Sequence, residues 1–342
     1  MRKLVLTATA AVLSAAVSTV SAAETIKIQA SSKAGDWAMQ FYEEWVEKFN
    51  VMSGPDGVKM EVLPTGAVVP YRDAIDAVAN GIIGGDLNAV SYYSGRDQAF
   101  SILGDLIAGY DTVDQMQTYC QYGGGREMLQ KVYDKYTSGN VVVIGCGPYA
   151  REAFVSSLPI KTIDDLKGVK VRSPEGMASD VFRRAGAAPV SLPFSEVYTS
   201  LEKGLVEAAD ASSYVNNSTS GMHKVAKYPI YPGIHSMAVI ELAMNKRIWE
   251  GLSDADREMI DVWYIAMSAS MMRKSDLEDR QLVAADAAAG ELTIIDWAQE
   301  DRDKLRALAV EAWDAAASKS PLAKEALESH MLFMKDIGLL DE

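Results

Sequence analysis

Arg172 ends the run Val169-Lys-Val-Arg172, which alternates like a short strand. An arginine at the carboxyl end of a strand stands where open α/β sheets bind ligands. Its planar guanidinium offers paired N–H groups that match the two oxygens of a carboxylate. The competing reading is an ordinary surface ion pair. Phe194 lies in the turn of Leu192-Pro-Phe-Ser-Glu196, where its ring either faces a cleft or joins the core. Asp210 ends Gly204-Leu-Val-Glu-Ala-Ala-Asp210, again at the end of a strand-like run, so it could share a cleft with Arg172. This is recognition chemistry. No Gly-x-Ser-x-Gly, His-Glu-x-x-His or Walker loop accompanies it.

Gly145-Cys-Gly147-Pro-Tyr-Ala150 has the G-x-G-x-x-A spacing of a dinucleotide-binding turn. Pro148 and Pro159 leave little room for the helix that would receive a pyrophosphate. The segment therefore reads as a glycine-rich crossover between domains. Three histidines (His223, His235, His330) and two cysteines (Cys120, Cys146) are too few for a His/Cys zinc site, an iron–sulfur cluster or a disulfide framework. The two cysteines either pair or remain buried thiols.

The elements that position these residues alternate between strand and helix. Strand patterns at 25–29, 58–62 and 87–90 enclose helix patterns at 37–49 and 71–80, a βαβαβ order. A buried strand follows at 140–145. A second βαβαβ unit runs from Val169, with helices at 174–185 and 195–204 and strands at 188–192 and 205–209. Between Gly251 and Gly290 there is neither Gly nor Pro, and Ser253 with Asp254 and Asp256 makes a good helix start. A helix of that length is longer than one domain is wide, so it must lie along two. Helices at 301–318 and 322–335 close the chain.

The 342 residues are 49% hydrophobic and 23% charged, which excludes intrinsic disorder and suggests two domains. The formal net charge of -14 argues against nucleic acid as a partner, since such a partner needs a basic face. Met1-Arg-Lys3, the uncharged stretch from Leu4 to Val20 and the small residues Val20-Ser-Ala22 read as a cleavable signal peptide over 1–22, hence export.

Three segments together carry a family resemblance: Asp164-Asp-Leu-Lys-Gly-Val-Lys-Val-Arg172, Leu192-Pro-Phe-Ser-Glu-Val-Tyr198 and Gly204-Leu-Val-Glu-Ala-Ala-Asp210. They resemble the DctP solute-binding proteins of tripartite ATP-independent periplasmic (TRAP) transporters, from about Thr25 to the C-terminus. The resemblance implies an α/β, two-lobed periplasmic binding protein fold with a long helix spanning both lobes. Lobe I would take 23–148 with part of 240–255, and lobe II 149–239. The inter-lobe helix would take 253–290, and C-terminal helices 291–342.

The implied function is capture of a small organic acid by cleft closure in the periplasm and delivery to membrane subunits, without catalysis. An exported hydrolase or lyase using the same cleft is the alternative. Arg172 takes the position of the family's carboxylate-pairing arginine, Arg151 that of a second arginine, and Phe194 that of a ring contact. Tyr92, Tyr93 and Tyr214 are expected as walls and Asn216 as a polar contact. Tyr231-Pro-Gly-Ile-His-Ser-Met237 and Tyr92-Tyr-Ser-Gly95 resemble the 2-oxo-acid and carboxylate branch, whose members can hold a single metal cation beside the ligand. Asp210 and Glu241 match its acidic positions. Ala211 stands where that branch has Trp, which implies an enlarged pocket.

Overall fold

A computed structural model describes residues 25–234 and 236–340. The signal segment and His235 lie outside the described residues. Nine strands form two sheets: β1 Thr25–Ala30, β2 Lys59–Leu63, β3 Gly85–Ala89, β4 Val141–Pro148, β5 Ala153–Ser156, β6 Lys170–Ser173, β7 Ala188–Ser191, β8 Ala208–Ser212 and β9 Val239–Asn245. The first sheet has the order β2-β1-β3-β9-β4 and the second β5-β8-β6-β7.

In the first sheet β1 lies parallel to β2 and β3, as a βαβαβ unit requires, while β9 inserts antiparallel between β3 and β4. In the second, β6 is central and parallel to both β7 and β8, so three strands end side by side at their carboxyl ends. β5 pairs antiparallel with β8, with an irregular step: Ala153 pairs Ser212 but Phe154 pairs Asp210. Ala211 is the extra residue of a β-bulge, a device that re-aims neighbouring side chains.

The long helix runs from Asp254 to Ala289, 36 residues and about 54 Å. Ser253 caps it, accepting from the Asp256 N–H, and Gly290 ends it in the left-handed conformation. Its first half is fixed to the first sheet's lobe. Trp263 Nε1 donates to the Trp45 carbonyl at 2.8 Å and the Tyr264 hydroxyl to that of Ile240 at 2.7 Å. Its second half holds the other lobe. Asp279 accepts from the backbone N–H groups of Tyr214 and Val215, at 3.1 and 2.7 Å, and the Tyr214 hydroxyl donates to Asp286 at 2.8 Å.

The glycines of the G-x-G run allow this packing. A Cβ at Gly145 would sit 2.4 Å from the Tyr264 ring, and one at Gly147 would meet Gln117 Oε1 at 2.2 Å and Ser268 Oγ at 2.6 Å. No helix follows them; β4 continues to Pro148. Cys120 and Cys146 are free, buried thiols, with Cys146 Sγ 3.9 Å from the Cys120 carbonyl.

Candidate functional site

Arg172 sits near the end of central β6, flanked by the strand ends on either side. Its Nε donates to the Leu192 carbonyl just beyond β7 at 2.9 Å, and its Nη1 to the Asp210 carbonyl of β8 at 2.6 Å. Nη2 reaches the Tyr92 hydroxyl, at 3.5 Å, from the turn that follows β3 in the other lobe. A guanidinium has five N–H groups. These contacts use three and leave two for a ligand. Arg172 is 1% exposed, and no carboxylate forms an ion pair with it among the described residues. A buried charge without a counter-charge is costly.

These groups line a cavity of about 60 Å³ between the lobes. Ser31, Ser91, Tyr92, Tyr42 and Ile240 line it from the first lobe, and Glu152, Arg172, Phe194, Ala211 and Asn216 from the second. Met271 of the long helix also lines it. One water needs about 10–15 Å³ on this measure, so the space suits a small molecule. Tyr149 also lines the cavity, its hydroxyl 3.5 Å from the Ala211 carbonyl.

The lobes touch around the cavity. The Phe194 N–H donates to the Tyr92 hydroxyl at 3.3 Å, the Ala38 N–H to Asn216 Oδ1 at 3.4 Å, and Ser220 Oγ to Asp36 at 3.0 Å. Arg72 and Glu175 form an ion pair across the rim.

Of the residues expected from the sequence, Arg172, Phe194, Tyr92 and Asn216 line the cavity together. Asp210 does not line it, but its carbonyl holds the Arg172 guanidinium. Tyr93 does not line it. The turn sends this ring into the first lobe's core, its hydroxyl donating to Asp86 at 2.7 Å. Tyr214 lies behind the site, bound to the long helix. Arg151 faces a separate groove of about 250 Å³ that also holds Arg302 and Arg306, and it donates to the Asp111 carbonyl.

Asp210 and Glu241 are not brought together. Successive residues of a strand face opposite sides. Ile240 lines the cavity, so Glu241 points away, accepting from the Tyr133 hydroxyl at 2.7 Å. Burial, then the Asp86 carboxylate, pushes the Glu241 carboxyl well above the usual range. Hard cations take six or more oxygens, and among the described residues no three His, Cys, Asp or Glu converge. The expected pair does not fit a metal ion.

The acid that does meet Asp210 is Glu152. It is 5% exposed, lines the cavity and accepts from the Tyr149 hydroxyl. The Ala211 bulge lies in β8 opposite the start of β5, one residue after Glu152. Burial first, and then the neighbouring Asp210, pushes the Glu152 carboxyl well above the usual range. Its one sequence signal is an acid, next to Arg151, immediately before the apolar run Ala153-Phe-Val155.

A family model described as bacterial extracellular solute-binding protein, family 7, matches residues 29–320. A TRAP periplasmic solute-binding protein from Rhodobacter sphaeroides, solved in an apo open state, is 35% identical, with TM-score 0.74 over 93% of this chain and 100% of that one. A monocarboxylate 2-oxoacid-binding periplasmic protein of a Nostoc species is 24% identical over 96% of this chain and 93% of its own length. A TRAP periplasmic solute-binding protein from Pseudoalteromonas atlantica, with bound sodium and pyruvate, shares the fold: TM-score 0.79 at 20% identity, over 92% and 95% of the two chains. Among the described residues no helix is long and apolar enough to cross a membrane.

Proposed function

The chain belongs to family 7 of the bacterial extracellular solute-binding proteins, and from that premise we propose that its solute is a small organic acid. The protein captures this acid in the periplasm by closing its cleft and delivers it to the membrane subunits of a TRAP transporter. One observation carries the reading: Arg172 is buried between three strand ends with two N–H groups to spare and no carboxylate paired to it among the described residues. A ligand carboxylate supplies the missing counter-charge. Hydrogen bonds to charged groups are worth about 1.5–3 kcal/mol each.

Closure follows from the same geometry. Tyr92 of the first lobe binds both Arg172 and the Phe194 backbone of the second, so a ligand on Arg172 favours the closed state over the open one. Phe194 and Tyr92 wall the apolar body of the ligand, and Asn216 supplies a polar contact. Nothing in this cycle breaks a bond. The competing enzyme reading requires a chemically altered product.

Native mass spectrometry of the exported protein, followed by denaturation, tests the assignment: an unchanged small acid at one per chain is expected. Arg172→Lys keeps the charge and loses the planar fork. Isothermal titration of the recovered acid should then show affinity reduced by about tenfold to a hundredfold, as for loss of one charge-assisted pair. Undiminished binding by a folded Arg172→Lys protein would remove the basis of the proposal.

A further inference from the structure

The cavity between the lobes has two unlike ends. At one end is Arg172, whose partners Leu192 and Tyr92 also line a hollow at the rim beside Arg72 and Glu175. At the other are Tyr42, Ile240 and Met271, which also line a second void, of about 10 Å³, away from Arg172. We propose that the solute is a short monocarboxylate held by Arg172, and that Tyr42, Ile240 and Met271 set its chain length. This rests on the receptor reading above and narrows it.

Charge and volume fix the class. Among the described residues that line the cavity, Arg172 is the sole cation and Glu152 the sole acid. A second ligand carboxylate would therefore be buried with no cation to meet it. At about 10–15 Å³ for each water-sized group, about 60 Å³ holds about four to six of them. Three are the atoms of the carboxylate itself, which leaves room for about two to four carbons in all.

The far wall decides where the chain must stop. Tyr42 comes from the Trp37–Met52 helix, Ile240 from β9 and Met271 from the long helix. All three belong to the first lobe's hydrophobic core and are at most 9% exposed. The Tyr264 hydroxyl holds the Ile240 carbonyl at 2.7 Å. Each CH2 that the ligand buries before the wall is worth about fourfold in affinity. Any further carbon has to displace packed side chains. The void behind the wall has Tyr264 and Met267 on its far side and is too small for more than about one water. Because Tyr42, Ile240 and Met271 line both spaces, shortening one of them joins the two.

Two acid series on the wild-type mature protein test this. Fatty acids from acetate to hexanoate and 2-oxo acids from pyruvate to 2-oxohexanoate are titrated by calorimetry and thermal shift, with malonate and succinate beside them, each with and without sodium and calcium. Affinity should rise about fourfold per added carbon to an optimum at about four carbons or fewer, then fall by about tenfold or more at six. The dicarboxylates should bind about tenfold more weakly than the best monocarboxylate. Met271→Ala should move the optimum about one or two carbons longer, a gain that a merely loosened protein does not show. Ile240→Ala serves where Met271→Ala does not fold. A flat profile, an optimum at five or six carbons, a dicarboxylate bound as tightly, or an optimum unmoved in the folded variant overturns the length assignment and leaves the receptor for organic acids standing. Failure of every acid to bind overturns both.

Discussion

A single hydroxyl joins the two lobes at the Arg172 guanidinium. The Tyr92 oxygen accepts from Arg172 Nη2 and from the Phe194 N–H, so it belongs to the closed state alone. Tyr92→Phe removes it and keeps the ring that packs edge-on against Tyr71. The expected result is ligand affinity weakened by about threefold to tenfold, roughly one neutral hydrogen bond, with an unchanged melting temperature for the ligand-free protein; titration calorimetry and a thermal melt check the two halves. Arg172 and Phe194 were legible in the sequence because a strand end and a Leu-Pro turn fix where they point. Tyr93 was not separable from Tyr92, since adjacent residues in a tight turn face opposite sides and only the surrounding core says which side is which. Glu241 failed for a similar reason: the parity of β9 sets its face, and one residue of offset sends it to the core. Glu152 was invisible because it lies in the loop before β5, outside any periodic pattern.

Among the elements, the long helix stands out. Asp279 caps the backbone of the Tyr214–Thr219 helix from outside, accepting two N–H groups. Asp279→Ala should cost about 1–2 kcal/mol of stability, as loss of a capping side chain does, read from denaturant melts. Burial raises its carboxyl pKa from 3.8 to about 7. An acid raised in the folded state stabilises most when both states are protonated, and that contribution is lost as pH climbs from about 4 to about 7. Asp279→Asn should therefore flatten this part of the stability–pH curve. Gly145→Ala puts a methyl into the Tyr264 ring and should cost about 1–3 kcal/mol through overpacking. The long helix was readable from its missing Gly and Pro. β5 was not, nor was β9, whose pattern is broken by a buried glutamate. The G-x-G run did mark a crossing point, though its glycines make room for helix side chains rather than for a cofactor.

At the scale of the whole molecule, two sheets share one rod and close on a small cavity. Small-angle scattering should show a smaller radius of gyration on adding the ligand, and Arg172→Lys should need more ligand to reach it. The rim pair Arg72–Glu175 is about half exposed on both sides, 47% and 39%, so it contributes about 0–1 kcal/mol to closure. Glu175→Gln should weaken binding by no more than about fivefold, and the loss should fade as salt is raised. The same pair has a practical use. Its side chains sit on opposite lobes, reach solvent and stay clear of the ligand, while the rod fixes both lobes behind the cleft. Cysteines at 72 and 175 carrying a donor and an acceptor dye would turn closure into a change in energy transfer. The molecule would then be an optical sensor whose own solute sets the signal.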